Sequence, residues 1–270
     1  MPKVVLSGYF GFGNAGDEAI LAAEVAALRQ LIPQVEITVL SGNPRKTAAT
    51  YNVEAEPRGN LWALCRALRR ADLLISGGGS LLQDITSNRS IPYYLGVMAL
   101  AKLMGKKVML YGNGVGPIRN PFNRLLVRWL GNWVDLITVR DEGSKRVLQK
   151  LGVSRPPIVL TADAVFSLKP APKDVAEKVL QRSGIGSERP RLGVSVRQWQ
   201  GQQDYKEVLS DAIDKYAFEH KAQVVFLPLQ HPGDVDASKE VRSFMEQPAT
   251  IITECFDVPT TMALYGAMDM

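Results

Sequence analysis

The chain has 270 residues, of which 46% are hydrophobic and 22% are charged, with 23 Gly and 16 Pro. These are the proportions of an ordinary globular protein, and they exclude fibrous and intrinsically disordered classes. The length predicts one large or two medium domains. A formal net charge of +5 is small for a dedicated nucleic-acid-binding protein, so we expect no nucleic-acid partner.

The cysteines and the apolar segments exclude further classes. Cys65 and Cys255 are far apart in the sequence, which argues against a disulfide framework or a structural zinc site and is compatible with the reducing cytoplasm. No apolar run approaches the ~20 residues of a membrane span. Any membrane contact is therefore expected to be peripheral.

Short segments rich in Leu and β-branched residues recur along the chain. Their apolar residues are consecutive, the pattern of strands whose two faces are both covered by helices in a parallel sheet. The predicted strands are Val4–Ser7, Ile37–Leu40, Leu73–Ser76, Val108–Tyr111, Leu136–Val139, Ile158–Thr161, Leu192–Val196 and Val224–Leu227. The predicted helices between and after them are Asp17–Leu31, Leu61–Arg70, Tyr94–Met104, Asp141–Leu151, Tyr205–Lys221 and Thr260–Ala267. This alternation predicts a doubly wound α/β fold.

Two prolines in the segment Leu168–Pro172 indicate a stiff connection and a domain boundary. We predict an N-terminal Rossmann-like domain at 1–168, a linker and helix at 169–190, and a partial C-terminal Rossmann-like domain at 191–270. The last part has only two or three predicted strands, whereas such sheets have about five or six. The second domain is therefore expected to be truncated in this chain.

The first candidate site segment is the glycine-rich run Ser7–Glu18, which follows the first predicted strand. The spacing of its glycines matches neither the dinucleotide fingerprint nor a P-loop. Because the carboxyl ends of parallel strands form the ligand-binding edge of such sheets, we expect Gly13, Asn14 and Gly16 to bind substrate and Asp17 and Glu18 to act in catalysis. The alternative is a tight turn with Asp17 near the helix N-terminus.

Two more glycine-rich segments follow the next predicted strands. In Ser76–Asp84, the amides of Gly77, Gly78, Gly79 and Ser80 are predicted to form an anion-binding nest, with Asp84 as a further candidate catalytic carboxylate. In Gly112–Pro117, Asn113 and Gly114 are predicted to line the same edge. The alternative for such loops is backbone flexibility alone.

Arginines complete the predicted anion site. Arg140 follows the fifth strand and is expected to bind a carboxylate or phosphate, with Asp141, Glu142 and Ser144 beside it. The alternative is a structural ion pair with Asp141, Glu142 or another acid. In the second domain Arg197 and Gln230 are predicted binding residues, so that two arginines would face a small dianion across an interdomain cleft.

Neither His220 nor His231 forms a Ser-His-Asp arrangement or metal-ligand spacing, so no metal and no cofactor are expected. Positive charge is concentrated in residues 101–150, which contain ten Lys or Arg against three acids. Within them Arg119–Leu130 is predicted as a capped helix that places Arg124 and Arg128 on one face. This helix could contact anionic headgroups peripherally; the alternative is a solvated face above a core-packed helix.

The ordered motifs resemble those of the bacterial polysaccharide pyruvyl transferases, in particular the CsaB type. The matching segments are Gly8–Leu21, Ser76–Asp84, Gly112–Pro117, Val139–Ser144, Gly193–Arg197 and Phe226–Gln230. The resemblance implies a GT-B-like fold of two Rossmann-like domains around a central cleft. It also implies transfer of pyruvate from phosphoenolpyruvate to a sugar as a ketal, a transfer of the EC 2.5.1 type.

For CsaB-type members the implied acceptor is an amino sugar of a lipid-diphosphate-linked precursor of a secondary cell-wall polysaccharide. The implied location is the cytoplasm, at the inner face of the plasma membrane, and the product anchors S-layer proteins. The family usually continues beyond a segment like Ala263–Asp269 into an Arg-Leu-His motif that supplies a catalytic histidine. This chain stops before it, so we expect the fragment to be weakly active or inactive.

Phosphoenolpyruvate carries a carboxylate and a phosphate, and its transfer requires a proton donor, for which Asp17, Glu18 and Asp84 are the candidates. Two other functions remain open. One is a GT-B glycosyltransferase that uses a nucleotide sugar in the same cleft. The other is a non-catalytic domain that binds phosphorylated glycans.

Overall fold

The computed structural model describes residues 1–85, 87–198 and 205–270. Contacts divide the chain into two compact units. The first consists of Met1–Phe12 and Gly16–Leu168, and the second of Gly13–Ala15 and Lys169–Met270. The residues predicted as linker and helix, 169–190, belong to the second unit and include a helix at Lys173–Arg182.

The first unit is built on an eight-stranded sheet in which every pairing is parallel. Its strands are β1 (Lys3–Ser7), β2 (Glu36–Ser41), β3 (Glu54–Pro57), β4 (Leu73–Ser76), β5 (Gly79–Leu82), β6 (Lys107–Val115), β7 (Leu136–Val139) and β8 (Ile158–Leu160). Their order is β3-β2-β1-β4-β6-β7-β8, with β5 pairing with β6 off this path. The predicted parallel α/β fold is confirmed.

Polar side chains cap the start of several crossover helices of this unit. Asn60 accepts hydrogen bonds from the N–H groups of Trp62 and Ala63, and Asn120 accepts one from Phe122 before a proline at the first helical position. The helices are α1 (Ala15–Leu31), α2 (Pro44–Tyr51), α3 (Leu61–Arg70), α4 (Ser90–Leu103), α5 (Pro121–Gly131) and α6 (Glu142–Lys150), and a 3-10 turn follows at Ala164–Ser167.

The consecutive apolar residues of the central strands are explained by burial on both sheet faces. In β1, Val4 and Leu6 pack in one core cluster with Leu21 of α1. Val5, between them, packs in the opposite cluster with Leu68 of α3. Because successive side chains of a strand point to opposite faces, both helix layers bury apolar surface against this sheet.

The second unit contains a three-stranded parallel sheet in the order β11-β10-β9. Its strands are β9 (Arg191–Val194), β10 (Gln223–Phe226) and β11 (Ala249–Ile251), and its helices are α7 (Lys173–Arg182), α8 (Tyr205–His220), α9 (Gly233–Phe244) and α10 (Val258–Gly266). Its central strand is again buried on both faces, since Phe226 packs in one cluster and Val225 in the other. None of the helices in the described ranges has the length and apolar composition needed to cross a membrane.

Several elements differ from the sequence prediction. The prediction missed α2, β3, β5, α9 and β11. β3 has the sequence Glu-Ala-Glu-Pro and lies at the edge of the sheet, so it lacks an apolar run. β9 ends at Val194 rather than at the predicted Val196. Arg197 therefore lies beyond the strand and does not end it.

A bidentate ion pair holds β9 to α7, and its loss is expected to destabilise the second unit. Arg191 donates from Nη1 and Nη2 to the two carboxylate oxygens of Glu177 at 2.6 and 2.7 Å. The Arg191 side chain is 6% exposed, so Glu177→Gln leaves a buried charge without its counter-ion. We expect a loss of about 1–3 kcal/mol, less than for a fully buried pair, measured by urea denaturation. The matched control is Asp174→Asn, which breaks the solvent-exposed pair with Lys178 and should cause no measurable change. An equally small effect of both variants would contradict the prediction.

Candidate functional site

The predicted site segments leave neighbouring strands at one edge of the first unit's sheet. β1, β4, β6 and β7 are consecutive in the strand order and parallel, so their carboxyl ends meet there. The chain runs from β1 outward to β2 and β3 on one side and returns to β4 on the other. This reversal is the topological switch point at which open α/β sheets bind ligands.

Glu18 lies at this edge but is occupied by internal contacts. Its Oε1 accepts a hydrogen bond from the Gly11 N–H at 2.9 Å, and its Oε2 accepts one from the Tyr51 hydroxyl at 2.8 Å. Gly11 has φ +80°, and a Cβ there would lie 2.1 Å from the Ser41 hydroxyl oxygen, so this turn requires glycine. Glu18 therefore fixes the glycine-rich loop.

Asp17 lies in the first turn of α1 beside the second glycine-rich segment. A Cβ built on Gly79 would be 3.1 Å from Asp17 Oδ1. The carboxylate therefore lies directly against the backbone that leads into Ser80. Gly16 is exposed in the same helical turn.

The predicted anion-binding nest needs correction at two of its glycines. The Gly77 N–H donates to the Ser7 carbonyl oxygen at 2.8 Å. The Gly78 N–H donates to Oε1 of Glu24 at 3.0 Å. Because both donors are already paired, neither amide is available to an incoming anion in this arrangement.

Glu24 explains why this segment needs glycine. A Cβ on Gly77 would lie 2.3 Å from Glu24 Oε1. The Glu24 side chain is 1% exposed, and its Oε2 has no hydrogen-bond partner among the described residues. Burial raises the pKa of Glu24 to about 8, against the opposing effect of the Gly78 hydrogen bond and with a smaller contribution from the Asp163 charge. Glu24 is thus a neutral acid beneath the loop near pH 7.

The third predicted loop is largely strand. β6 continues to Val115, and Gly79 and Leu82 of β5 pair with its residues Asn113 and Val115. Asn113 is fully buried, and its Nδ2 donates to the carbonyl oxygens of Ser76 and Tyr111. Its Nδ2 therefore ties β6 to β4, while its Oδ1 has no hydrogen-bond partner among the described residues. The role of Asn113 as a substrate ligand stays a prediction.

Arg140 is fixed at the end of β7 by two side chains, Ser80 of β5 and Asp163 after β8. Its Nη1 donates to Asp163 Oδ2 at 2.9 Å, and its Nη2 donates to the Ser80 hydroxyl oxygen at 3.0 Å. A Cβ on Gly114 would lie 2.9 Å from the guanidinium, so glycine is needed where the arginine crosses β6. The ion pair that we considered as the alternative role is present, chiefly with Asp163, whereas Asp141 is 3.9 Å away. The Arg140 side chain is nevertheless 33% exposed.

Asp141, Ser144 and Glu142 form the N-terminus of α6. Asp141 Oδ1 accepts from the Ser144 N–H at 2.7 Å, and the Ser144 hydroxyl donates to Asp141 Oδ2 and accepts from the Val115 N–H. The Ser144 N–H bond, together with the Arg140 charge, holds the pKa of Asp141 below its usual range. Glu142 is exposed in the first helical turn. Asp141 and Ser144 thus cap the helix that follows Arg140.

Asp84 anchors the start of α5. Its carboxylate accepts from the N–H groups of Arg119 and Asn120, both at 2.8 Å, and from Asn123 Nδ2 at 3.2 Å. Burial opposes ionisation of Asp84, but these donors outweigh it and keep its pKa below the usual range. A carboxylate with a lowered pKa is a poor proton donor, so these contacts argue against the predicted catalytic role.

Four predicted binding residues lie in the second unit. Asn14 forms an antiparallel bridge with Gln230, and the Ala15 N–H donates to the Leu229 carbonyl oxygen at 3.0 Å. Arg197 Nη2 donates to Gln230 Oε1 at 3.1 Å. The structure therefore groups Asn14, Gln230 and Arg197, and Gly13 belongs to the same short segment of this unit.

Sequence reasoning missed three residues at the edge of the first unit. Asp163 follows β8, so the rule that selected Arg140 after β7 would also have selected it. Glu24 lies on the apolar stripe of α1 with Ile20 and Leu21, where a charged residue is itself a signal. Arg58 follows β3, a strand that the sequence did not reveal.

Arg58 lies among aromatic rings at the same sheet edge. Its guanidinium carbon is 4.3 Å from the centroid of Tyr93 and 5.3 Å from those of Phe12 and Tyr94. Its Nη1 donates to the Gly8 carbonyl oxygen at 3.3 Å. Within the described ranges, no group of three or more His, Cys, Asp or Glu side chains is placed to hold a metal ion.

Solved structures with this fold define the class of protein. The chain aligns over 99% of its length with 72% of Staphylococcus aureus MnaA, solved with UDP, at a TM-score of 0.66 and 13% identity. It aligns over 98% with 76% of the UDP-GlcNAc 2-epimerase of Methanocaldococcus jannaschii, at a TM-score of 0.65 and 13% identity. It aligns over 98% with 72% of Anabaena Alr3699/HepE, solved with UDP and glucose, at a TM-score of 0.62 and 12% identity. The fold is therefore that of the GT-B glycosyltransferases and epimerases.

The sequence identifies the family within this class. The model of the polysaccharide pyruvyl transferase family matches residues 14–270. The chain therefore belongs to the polysaccharide pyruvyl transferases, as its motifs predicted. No curated protein sequence matches the chain significantly.

The buried acid Glu24 should make stability depend on pH. The folded-state pKa of about 8 lies above the ordinary value of 4.5, so between these pH values the unfolded chain has lost a proton that the folded chain retains. The free energy of unfolding should therefore fall as pH rises from 4.5 to 8, by at most about 1.4 kcal/mol per pH unit for this one group. Glu24→Gln removes this component, whereas Glu142→Gln, an exposed control, retains it. Urea denaturation at pH 5 and pH 8 measures both. An unchanged pH slope in Glu24→Gln would mean that Glu24 is ionised in the folded protein.

Proposed function

We propose that this chain carries the donor-binding part of a transferase that moves pyruvate from phosphoenolpyruvate to a saccharide as a ketal. The observation that supports it most directly is that Asp163 and Ser80 fix Arg140, while the Asp17 carboxylate lies against Gly79, the residue next to Ser80. A fixed cation and a nearby carboxylate are the two groups that the reaction requires. Membership of the polysaccharide pyruvyl transferase family agrees with this reaction.

In this proposal Arg140 binds an anionic group of the donor. Its contacts with Asp163 and Ser80 use two of the five N–H donors of a guanidinium. The remaining donors suit a carboxylate or a phosphate, and the exposed Ser80 hydroxyl can add a further hydrogen bond. Arg197 of the second unit, held by Gln230, is proposed as a further anion ligand.

Asp17 is the proposed acid and base. Proton transfer to the methylene carbon of the enol ester leaves positive charge at C2, where a sugar hydroxyl attacks and gives up its proton. The C2–O bond to phosphate then breaks as a second hydroxyl of the same sugar bonds to C2 and passes its proton to the leaving phosphate, which closes the ketal and releases inorganic phosphate. Asp17 is chosen because its carboxylate lies against Gly79, the residue before Ser80, whose hydroxyl accepts from Arg140.

The proposed acceptor is an amino sugar of a lipid-diphosphate-linked cell-wall polysaccharide precursor, as for the CsaB type that the motifs resemble. The family description supports a glycan acceptor. The lipid-linked form would bring the acceptor to the membrane surface, and the pyruvylated product would later anchor S-layer proteins.

Isothermal titration calorimetry with phosphoenolpyruvate tests the donor site. Arg140→Ala should weaken binding at least about tenfold, or ~1.4 kcal/mol, because it removes the cation and leaves the Asp163 charge facing the ligand. Asp17→Asn should keep binding within about twofold. The matched control is Arg66→Ala, which removes an arginine paired with Glu56 at 2.9 Å outside the proposed site.

Unchanged binding in Arg140→Ala would overturn the assignment of the donor site. Titration of UDP into the same protein tests the alternative class, a glycosyltransferase that uses a nucleotide sugar. UDP is the probe because Staphylococcus aureus MnaA and Anabaena Alr3699/HepE were solved with it. Binding of UDP without binding of phosphoenolpyruvate would favour a nucleotide-sugar transferase.

The outer face of α5 is proposed to contact the membrane. Phe122, Leu125 and Trp129 are 61%, 49% and 70% exposed, although Val127 of the same helix is fully buried. Arg124 and Arg128 are exposed on this helix as well. Exposed aromatic and aliphatic side chains interleaved with arginines are typical of helices that lie on anionic lipid surfaces.

Co-sedimentation with vesicles tests this contact. On vesicles that contain phosphatidylglycerol, Trp129→Ala should lower the partition coefficient at least about fivefold, because it withdraws apolar area from the bilayer. Arg124→Gln should weaken the free energy of vesicle binding by about 1 kcal/mol, and only on anionic vesicles. Trp62→Ala is the control, since Trp62 is 87% exposed on α3. Equal effects of Trp129→Ala and Trp62→Ala would exclude a specific role for α5.

A further inference from the structure

The loop after β1 presents a pair of stacked aromatic rings. The Tyr9 and Phe12 rings have centroids 4.3 Å apart and planes inclined by 13°. Both rings remain exposed, Tyr9 at 39% and Phe12 at 41%. Burying such rings would normally contribute to stability, so their partial exposure at a ligand-binding edge needs an explanation.

The position of this pair is fixed by its surroundings. A Cβ on Gly42 would lie 2.7 Å from the Phe12 ring, so the backbone after β2 packs against that ring without a side chain between them. Arg58 adds a cation 5.3 Å from the Phe12 centroid and 5.9 Å from that of Tyr9. The stack is therefore supported by the Gly42 backbone on one side and by the Arg58 guanidinium on another.

Contacts connect this surface to the proposed reaction centre. Arg58 Nη1 is 3.4 Å from the Tyr94 hydroxyl, and Tyr94 is buried in α4. Burial is the main cause that raises the pKa of Tyr94 to about 12, and the nearby Asp17 charge contributes. Asp17 in turn lies against Gly79, next to Ser80 and Arg140. The aromatic surface thus adjoins the carboxylate that would activate a hydroxyl.

The chemistry of this surface matches a pyranose ring. A sugar presents C–H groups on one face, which pack on aromatic rings, and hydroxyl groups around its rim, which need polar partners. Arg58 is itself covered by rings and engaged with Gly8 and Tyr94. Arg58 therefore supports the two stacked rings and can donate a hydrogen bond to the hydroxyls of a sugar that packs on them. It is a less suitable ligand for a phosphate.

We infer that the Tyr9–Phe12 stack, supported by Arg58, is the surface on which the sugar ring of the acceptor packs, with its reacting hydroxyls directed to Asp17. The inference rests on the proposed function and adds the location of the acceptor within the first unit. It assigns to Tyr9, Phe12 and Arg58 a positioning role, since none of them takes part in proton transfer.

Saturation-transfer NMR on the full chain tests the inference, with the methyl glycosides of N-acetylglucosamine, N-acetylgalactosamine and N-acetylmannosamine as probes. At least one glycoside should bind, with Phe12→Ala weakening its binding at least about fivefold. Gly42→Ala, which displaces the Phe12 ring without removing it, should weaken it as well. Tyr9→Phe should retain binding because the ring is kept. The control is Phe122→Ala, which removes a ring that is 61% exposed on α5.

Titration of phosphoenolpyruvate into the same variants separates this inference from the proposed function. Phe12→Ala should bind phosphoenolpyruvate as the unaltered protein does, which also shows that the variant is folded. If phosphoenolpyruvate binds but no glycoside does, or if Phe12→Ala and Gly42→Ala leave glycoside binding unchanged, the acceptor surface is wrong while the donor site stands. If Phe12→Ala instead abolishes binding of UDP, the stack recognises a nucleobase and the inference fails.

Discussion

The parallel pairing of β1, β4, β6 and β7 is the constraint on which the candidate site depends. Parallel neighbours bring their carboxyl ends to one edge of the sheet, so residues from distant parts of the chain meet without any long loop. Arg140 directly follows β7, Ser80 lies in β5 just after β4, and Asp17 lies in α1, the helix that follows β1. Reversal of any one strand would remove its residues from this edge.

Two glycines of the candidate site, Gly77 and Gly114, lie in close contact with side chains of the protein itself. Gly77 leaves space for the carboxyl group of Glu24, and Gly114 leaves space for the guanidinium of Arg140. Two of the four N–H groups that the sequence offered to an anion, those of Gly77 and Gly78, are paired with Ser7 and Glu24 instead. These two amides are therefore not part of a nest of free amides.

The sequence was informative where burial dictates the pattern. β4 and β7 have the predicted bounds because consecutive apolar residues mark strands that are covered on both faces. The polar edge strand β3 carries no such mark, and Arg58 was missed with it. The roles of Glu18 and Asp84 could not be predicted either, since a carboxylate near a glycine-rich loop has the same local sequence whether it anchors the chain or reacts. Their partners Tyr51 and Arg119 are 33 and 35 residues away.

The two anchors of Arg140 have a thermodynamic consequence for any anion that it binds. A free arginine side chain has about 2 kcal/mol of rotamer entropy, much of which is lost when a ligand orders it. Here Asp163 and Ser80 restrict the side chain as soon as the chain has folded. Most of the cost of ordering is therefore already met by folding, and a small dianion can retain more of its interaction energy as affinity.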